Sequence, residues 1–393
     1  MKYLNIQNIK IYLLTFINIL KIYFITNNKF KNNKKLRFVL FYFPVQVYQE
    51  NILELAKKLK QNKNIYVFLV YNRYLSSGIA NQKNSFLLNL EYLRFIPFSN
   101  ILLQKIHIFI SNYVAYVFPT KSKNIYISHN IMDAPLVNKE IENKLFSHLS
   151  KLDYIFLPSD IAIKYFKKKL IYFFRIRNRK TPELINTGYL KLDHVKKKLN
   201  FLKNKKDSIL IAPTVSSQMK EFNISHDLIK IIKILLKNTK EKIIYRPHPL
   251  DLTKKGNINF IKKIVNIFKN NKDFSADLSK SYLNSYSRAK FLITDFSSTA
   301  YTFSYSALCP VLFYSKNEKK LSKSKLASLI YFQDRLKVGY VLKNVNQILL
   351  KVQKLNLMKS KFKKRIINLR KKRIKYLDKS LKKTHDEILN IIE

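Results

Sequence analysis

A chain of 393 residues with 47% hydrophobic content is long enough for two to three domains and too apolar for a disordered body. Its 75 Lys and Arg against 24 Asp and Glu give a formal charge of +51. Four glycines, at 78, 188, 256 and 339, exclude a Walker A loop and a G-x-G-x-x-G fingerprint. The single cysteine, Cys309, excludes a disulfide framework and a Cys-based zinc site, and fits a reducing compartment.

The first 49 residues hold no acid. Within them, 11–26 is an apolar run broken by Asn18 and Lys21, shorter than the ~18–20 residues of a membrane span. Residues 1–36 are expected as a basic, apolar N-terminal segment, a helix packed on the body or lying in a membrane interface. Lys10, Lys29, Lys31, Lys34 and Lys35 flank it. A signal peptide would need an A-x-A-like cleavage site, and none follows the run; a signal anchor is the alternative.

From Arg37 the pattern alternates. The predicted strands are 38–43, 65–70, 125–128, 154–157, 208–212, 243–246, 291–294 and 311–314. Between them lie stretches with apolar spacing of three and four, such as Ile52, Leu55, Ala56 and Leu59, or Leu228, Ile231, Ile232 and Leu235. Strand-then-helix repetition predicts an α/β fold with parallel sheets. A Lys/Asn-rich stretch near 199–206 places the expected boundary between an N-terminal unit, 37–200, and a C-terminal unit, 201–350. The last segment, 351–393, has 15 basic and 4 acidic residues with neither Gly nor Pro, and reads as a basic helical tail.

Codon supply in an AT-rich genome accounts for much of the Lys, Asn, Ile, Phe and Tyr. A field of this sign still draws polyanions: nucleic acid, anionic lipid or phosphate-bearing substrates.

Three constellations sit where predicted strands end, the place where α/β sheets bind ligands. In Tyr245-Arg246-Pro247-His248-Pro249 the two prolines make a rigid mount for a permanent cation and an imidazole. In Thr294-Asp295-Phe296-Ser297-Ser298-Thr299 a strand runs into hydroxyls that open a helix. That is a phosphate cradle needing no glycine, because helix N-termini supply N–H groups and a positive dipole end. In the third, the strand ending at Ser128 is followed by His129, a candidate general base, with the carboxylate of Asp133 four residues on. No H-E-x-x-H or G-x-S-x-G occurs.

The order YISHN, DYIFLPSD, LINTGYLKLD, ILIAPT, YRPHP, FLITDFSSTAYTFSYSALCPVLFY resembles the CDP-glycerol glycerophosphotransferase family of teichoic-acid primases and polymerases. The resemblance implies a GT-B fold, two Rossmann-like domains with a cleft between them, and no obligatory zinc; no cofactor is expected. It implies a cytidine-nucleotide donor, a membrane-anchored polyol or saccharide acceptor, and a place on the inner face of the cell membrane; the acid-free N-terminus and the basic tail point to an anionic membrane surface as partner. By resemblance His129 is a base, and Arg246 and His248 face the pyrophosphate. Ser297, Ser298 and Thr299, after Asp295, bind phosphate. The chain departs from the family pattern at Ser128 and Asn130 around His129, at Leu190 after Gly188-Tyr189, and at Val215-Ser216.

The expected mechanism is attack of an acceptor hydroxyl, deprotonated by His129, on the donor's distal phosphorus. Arg246 and a protonated His248 would offset charge on the departing CMP, with catalysis resting on positioning and charge. One alternative is a GT-B glycosyltransferase using a CMP- or other nucleotide-sugar for capsule or lipopolysaccharide. Another is a non-catalytic membrane- or nucleic-acid-binding protein. Nucleic acid is disfavoured, since the aromatics lie inside apolar runs and no helix-turn-helix, RNP or KH signature occurs.

Overall fold

Short strands that each lead into a helix pair in parallel, because every return path is a crossover. The computed structural model describes residues 6–43, 50–72, 82–115, 117–131, 133, 139–177, 180–202, 204–216, 221–252 and 255–393. Among these residues the strands form two sheets. The first holds β1 (Arg37–Phe43), β2 (Ile65–Tyr71), β3 (Ser85–Leu87), β4 (Ile106–Ser111), β5 (Lys123–Ile127), β6 (Tyr154–Leu157) and β7 (Glu183–Asn186), in the order β3-β2-β1-β4-β5-β6-β7. The second holds β8 (Ser208–Ile211), β9 (Lys242–Tyr245), β10 (Phe274–Ala276), β11 (Ala289–Thr294), β12 (Val311–Tyr314) and β13 (Gly339–Leu342), in the order β10-β9-β8-β11-β12-β13. The central pairs are parallel in both. Each order reverses beside its first strand, between β1 and β4 and between β8 and β11. This is the doubly wound Rossmann arrangement, whose crevice opens at the carboxyl ends of the strands.

Alternation along β1 splits the first unit's core into two layers. Val39, Phe41 and Phe43 point to one face, against α2 (Glu50–Leu59) and its Ile52, Leu55, Ala56 and Leu59. Phe38, Leu40 and Tyr42 point to the other, where Ile19 and Ile22 of α1 (Ile6–Asn32) are fully buried. The polar residues of α1 explain how it is held. The amide of Asn18 donates to the Leu87 carbonyl at 2.7 Å, and the buried Thr15 hydroxyl accepts from the Asn89 N–H at 3.2 Å. Asn18, which interrupts the apolar run, is therefore an anchor to β3.

The chain divides into two compact units. One takes in the chain up to His129, Glu140–Leu190 and Asp378–Glu393; the other takes in Asn130–Lys139 and Lys191–Leu377. The division falls at Leu190, ahead of the Lys/Asn-rich stretch near 199–206. The basic tail is shared as well. Helix Lys359–Arg373 buries Phe362, Ile366 and Leu369 on the second unit, and Arg373 reaches the buried Asp334 at 2.7 Å. Helix Ser380–Ile392 sends Ile388 into the first unit's core. Its apolar faces decide where each helix packs.

One glycine is sterically required. Gly339 opens β13 so close to β12 that a Cβ there would lie 1.6 Å from the Val311 carbonyl oxygen.

Candidate active site

In the first unit His129 stands just past β5. Its Nδ1 lies 3.1 Å from the Asn112 carbonyl oxygen and 3.1 Å from the Tyr126 hydroxyl. A carbonyl only accepts, so that contact assigns the proton to Nδ1 and leaves the basic lone pair on Nε2. Tyr113 stacks on the ring at 5.8 Å, and the Tyr189 hydroxyl donates to the His129 carbonyl at 2.6 Å. A backbone acceptor, a stacked ring and an anchored main chain together fix the imidazole. This is the geometry a general base needs.

Asp133 does not serve His129. Its carboxylate accepts the N–H groups of Ile330 at 2.8 Å and Tyr331 at 3.0 Å, within the second unit. It caps the short helix Ile330–Gln333. A spacing of four suggested a partnership that the tertiary fold does not make.

In the second unit the loops after β8, β9 and β11 carry the remaining candidates, on either side of the switch point. Asp295 is 1% exposed, and burial raises its pKa against the hydrogen bonds it accepts. Those come from the N–H groups of Thr214 at 2.8 Å, Phe296 at 2.8 Å and Ile224 at 3.1 Å. Its acceptor capacity is spent on tying the β11 loop to the loop after β8. Expected as a substrate-binding residue, Asp295 is instead the brace of the cradle.

The hydroxyls do open a helix. Thr299–Ala307 starts there, and its residues from Ala300 to Ser306 are all buried. The Ser297 hydroxyl accepts the Thr299 N–H at 3.3 Å, and the Ser297 carbonyl accepts the Tyr331 hydroxyl at 2.9 Å. Ser298 is the N-cap residue, yet its side chain makes no capping hydrogen bond. Ser298 and Thr299 are half-buried, at the mouth of the helix N-terminus. Thr299 bonds the Tyr286 hydroxyl, and Tyr286 in turn lies within the field of Arg246. Tyr286 thus bonds the opening of this helix and feels the charge of Arg246.

Arg246 has a protein partner. Its Nη1 donates to Asp277 Oδ2 at 2.7 Å, and its fork also reaches the carbonyls of Ser281 and Lys280, each at 3.4 Å. Expected to face a phosphate, it spends its principal hydrogen bonds on holding this loop. His248 also differs from expectation. Burial pushes its pKa down to about 4; the Asp251 carboxylate opposes that and the Lys191 charge adds to it. Its Nδ1 accepts the Leu250 N–H at 3.2 Å, which leaves Nε2–H as donor. At neutral pH the imidazole is a neutral hydrogen-bond donor and not a cation.

Five further residues build this edge: Lys191, Asp251, Asp277, Tyr282 and Tyr286; only Lys191 falls in a family-like stretch, LINTGYLKLD, and no role was expected of it there. Asp251 accepts the Ser216 hydroxyl at 2.9 Å and the Asn257 amide at 2.7 Å, and so locks the His248 loop to the loop after β8. Tyr282 lies under both the Lys191 ammonium, 5.2 Å from its ring centroid, and the Arg246 guanidinium, at 5.9 Å. A separate cavity of about 820 Å³ lies at the amino-terminal ends of β5, β6 and β7, lined in part by Lys123, Lys151 and Lys180. It is at the end of the sheet opposite His129.

The model of the CDP-glycerol:poly(glycerophosphate) glycerophosphotransferase family matches residues 30–392. The chain belongs to that family. It is accordingly an enzyme of the class that transfers glycerophosphate from CDP-glycerol. Among solved structures it is similar to the wall teichoic acid polymerase TagF, at 13% identity over 99% of each chain with a TM-score of 0.61. A TagF variant soaked for 15 minutes with CDPG gives 14% identity, 99% of each chain and 0.61. A putative UDP-N-acetylglucosamine 2-epimerase from Listeria monocytogenes matches at 11% identity over 91% of this chain and 97% of its own, with a TM-score of 0.59. These likenesses show a fold of two Rossmann-like units, of GT-B type. No curated protein matches the chain by sequence.

Proposed function

We propose that this glycerophosphotransferase adds glycerol-phosphate to a hydroxyl of a membrane-associated acceptor in the synthesis of a teichoic-acid-type surface polymer. The observation that carries the reading is the meeting of three loops at the switch point of the second sheet. They carry a hydroxyl-opened helix N-terminus, a neutral imidazole donor and a braced arginine, and Asp251 and Asp295 tie them to the loop after β8. Helix dipole and hydroxyls suit a phosphate, and the prolines around His248 hold its donor in place.

In this reading Nε2 of His129 takes the proton from the acceptor hydroxyl. The acceptor oxygen forms a bond to the glycerol-bearing phosphorus as the bond to the bridging oxygen breaks, and CMP departs with the electron pair. His248 Nε2–H donates to the leaving phosphate. Such a transfer gains from fixed donors more than from covalent help.

The acceptor's anchor has a matching surface. The outward face of α1 exposes Ile6, Ile9, Leu13, Ile17 and Phe24, and the Tyr12 hydroxyl joins it to Phe95 at 3.1 Å. With Lys10 and Lys21 along the same helix, this face fits an anionic bilayer interface. Peripheral placement on the inner membrane face follows as part of the proposal.

The test is a ligand panel followed by turnover. CMP and CDP-glycerol should raise the melting temperature more than UMP or AMP. CMP release from CDP-glycerol should require a lipid-linked acceptor. His129→Ala should abolish that release while leaving CMP affinity within a few-fold of wild type. Absence of any cytidine preference, or consumption of CMP-sugars in place of CDP-glycerol, overturns the reading.

A further inference from the structure

Of the two groups expected to present positive charge to the departing nucleotide, one is ion-paired and the other is neutral. Arg246 is turned to Asp277, and His248 is held neutral at physiological pH by its surroundings. A third cation occupies the same place. Lys191 lies in the first turn of helix Leu190–Phe201, which starts after the turn Asn186-Thr187-Gly188. Gly188 has φ 80° there, a left-handed conformation that glycine adopts without strain, and its N–H donates to Asn186 Oδ1 at 3.1 Å. That turn swings the chain from the end of β7 and delivers Lys191 to the second unit, over the ring of Tyr282.

Two like charges on one ring repel. Burial, and then the Arg246 guanidinium, push the Lys191 ammonium down to about 8. The field of Lys191 also reaches His248. A phosphate brought to this ring would meet the Lys191 ammonium at the edge that also carries Arg246 and His248. We infer that Lys191 binds the phosphate of the CMP moiety of the donor, as a substrate-contacting residue that stabilises this group as it leaves. The inference rests on the glycerophosphotransfer reading.

Calorimetric titration of the full chain with CMP and with cytidine separates the phosphate contribution from the base. Lys191→Met should weaken CMP binding about 10- to 100-fold, the size of a charge-assisted hydrogen bond, and leave cytidine unchanged. Lys191→Arg should restore most of the loss. With CDP-glycerol the Met variant should lower kcat more than it raises KM, because charge on the leaving group grows toward the transition state. A second measurement needs no variant. Amine acylation of the wild-type chain, followed by peptide mass spectrometry, should show Lys191 protected by CMP and not by cytidine. Unchanged CMP affinity in Lys191→Met, or acylation of Lys191 indifferent to CMP, overturns the inference while wild-type transfer still stands. A wild-type chain that binds neither CMP nor CDP-glycerol overturns the functional reading along with it.

Discussion

Arg246 and Asp277 form the buried ion pair on which the donor edge is hung, Nη1 to Oδ2 at 2.7 Å. Burial works to raise the Asp277 pKa, but hydrogen bonds from Ser279 and Ser285 and the charge of Arg246 outweigh it. The carboxyl titrates below the ordinary aspartate range. Removing one partner leaves the other charge buried, which costs about 3–5 kcal/mol.

Asp277→Ala is therefore expected to lower the melting temperature markedly at pH 7. It should also weaken CMP binding, because the loop that carries Arg246 and His248 loses its tie. The sign with pH follows from the depressed pKa. The pair's contribution is complete above the unfolded aspartate value near ~3.9 and is lost as pH falls through the lower folded value. The stability gap between wild type and variant should narrow as pH falls below the unfolded aspartate value. A constant difference across that range would show that Asp277 does not act as an anion.

For His248 the prediction concerns the rate. With a pKa near 4, set by burial, the imidazole is neutral throughout pH 5.5–8, so its titration contributes no change in kcat/KM there. A required imidazolium would instead make the rate climb toward acid pH. His248→Ala should cut kcat by orders of magnitude. His248→Gln, which keeps an N–H donor, should recover part of the loss. The side chain is half-buried on a loop outside the two sheets, so the melting temperature should move little. An acid-rising profile would restore the charged histidine; unfolding of the Ala variant would make the residue structural.

Much of this frame was legible before any coordinates, for a physical reason. Buried parallel strands read as short β-branched and aromatic runs, and eight were found near their observed places, from 38–43 to 311–314. The strands that escaped were of two kinds. Ser85–Leu87, Phe274–Ala276 and Gly339–Leu342 lie at sheet edges, where only one neighbour pairs and apolar content can fall. The fourth, Ile106–Ser111, lies in the centre, but His107 splits its apolar run; its Nδ1 accepts the Phe38 N–H at 3.1 Å, a tertiary role no local pattern reveals. The fifth, Glu183–Asn186, is again an edge strand, pairing β6 alone, and begins on a charge.

The site divides in the same way. Proline-braced Arg246 and His248 and the hydroxyls 297–299 announce themselves because their neighbours in sequence are their neighbours in space. Asp277, Tyr282 and Tyr286 arrive from a later stretch of chain, while Asp251 and Lys191 lie in or beside quoted stretches but find their partners only through the tertiary fold. Charge was misjudged for the same reason. That Asp277 neutralises Arg246 and that burial neutralises His248 are facts of packing.

Gly339 gives a prediction independent of function. A methyl at its Cβ would stand 1.6 Å from the Val311 carbonyl oxygen, a backbone atom that cannot swing aside. Gly339→Ala should force β13 off β12 and destabilise the second unit by about 3 kcal/mol or more, as severe overpacking does. Denaturant unfolding followed by tryptic cleavage should find the new sites between Gly339 and Leu377. A variant with wild-type stability would show that β13 does not pair as described.

The N-terminal helix gives the last prediction, and salt and mutation separate its parts. In the proposed placement the acid-free first 49 residues would attract anionic lipid through a screened field, worth about 1 kcal/mol per basic residue at the surface and falling off within a Debye length. The apolar face of α1 contributes by a route that salt does not weaken. Leu13 is 51% exposed there, while Ile19 and Ile22, on the opposite face, are fully buried. Leu13→Asp should thus spare the fold and weaken sedimentation with anionic vesicles at both low and high salt. Ile19→Asp, by contrast, should lower the melting temperature, because it puts a carboxylate into the core beside Phe38. Wild-type binding should fall as salt rises and level off above zero. Complete release by salt would assign binding to charge alone, and binding indifferent to salt and to Leu13→Asp would require an inserted anchor. No binding to any vesicle would remove the membrane surface from the proposal.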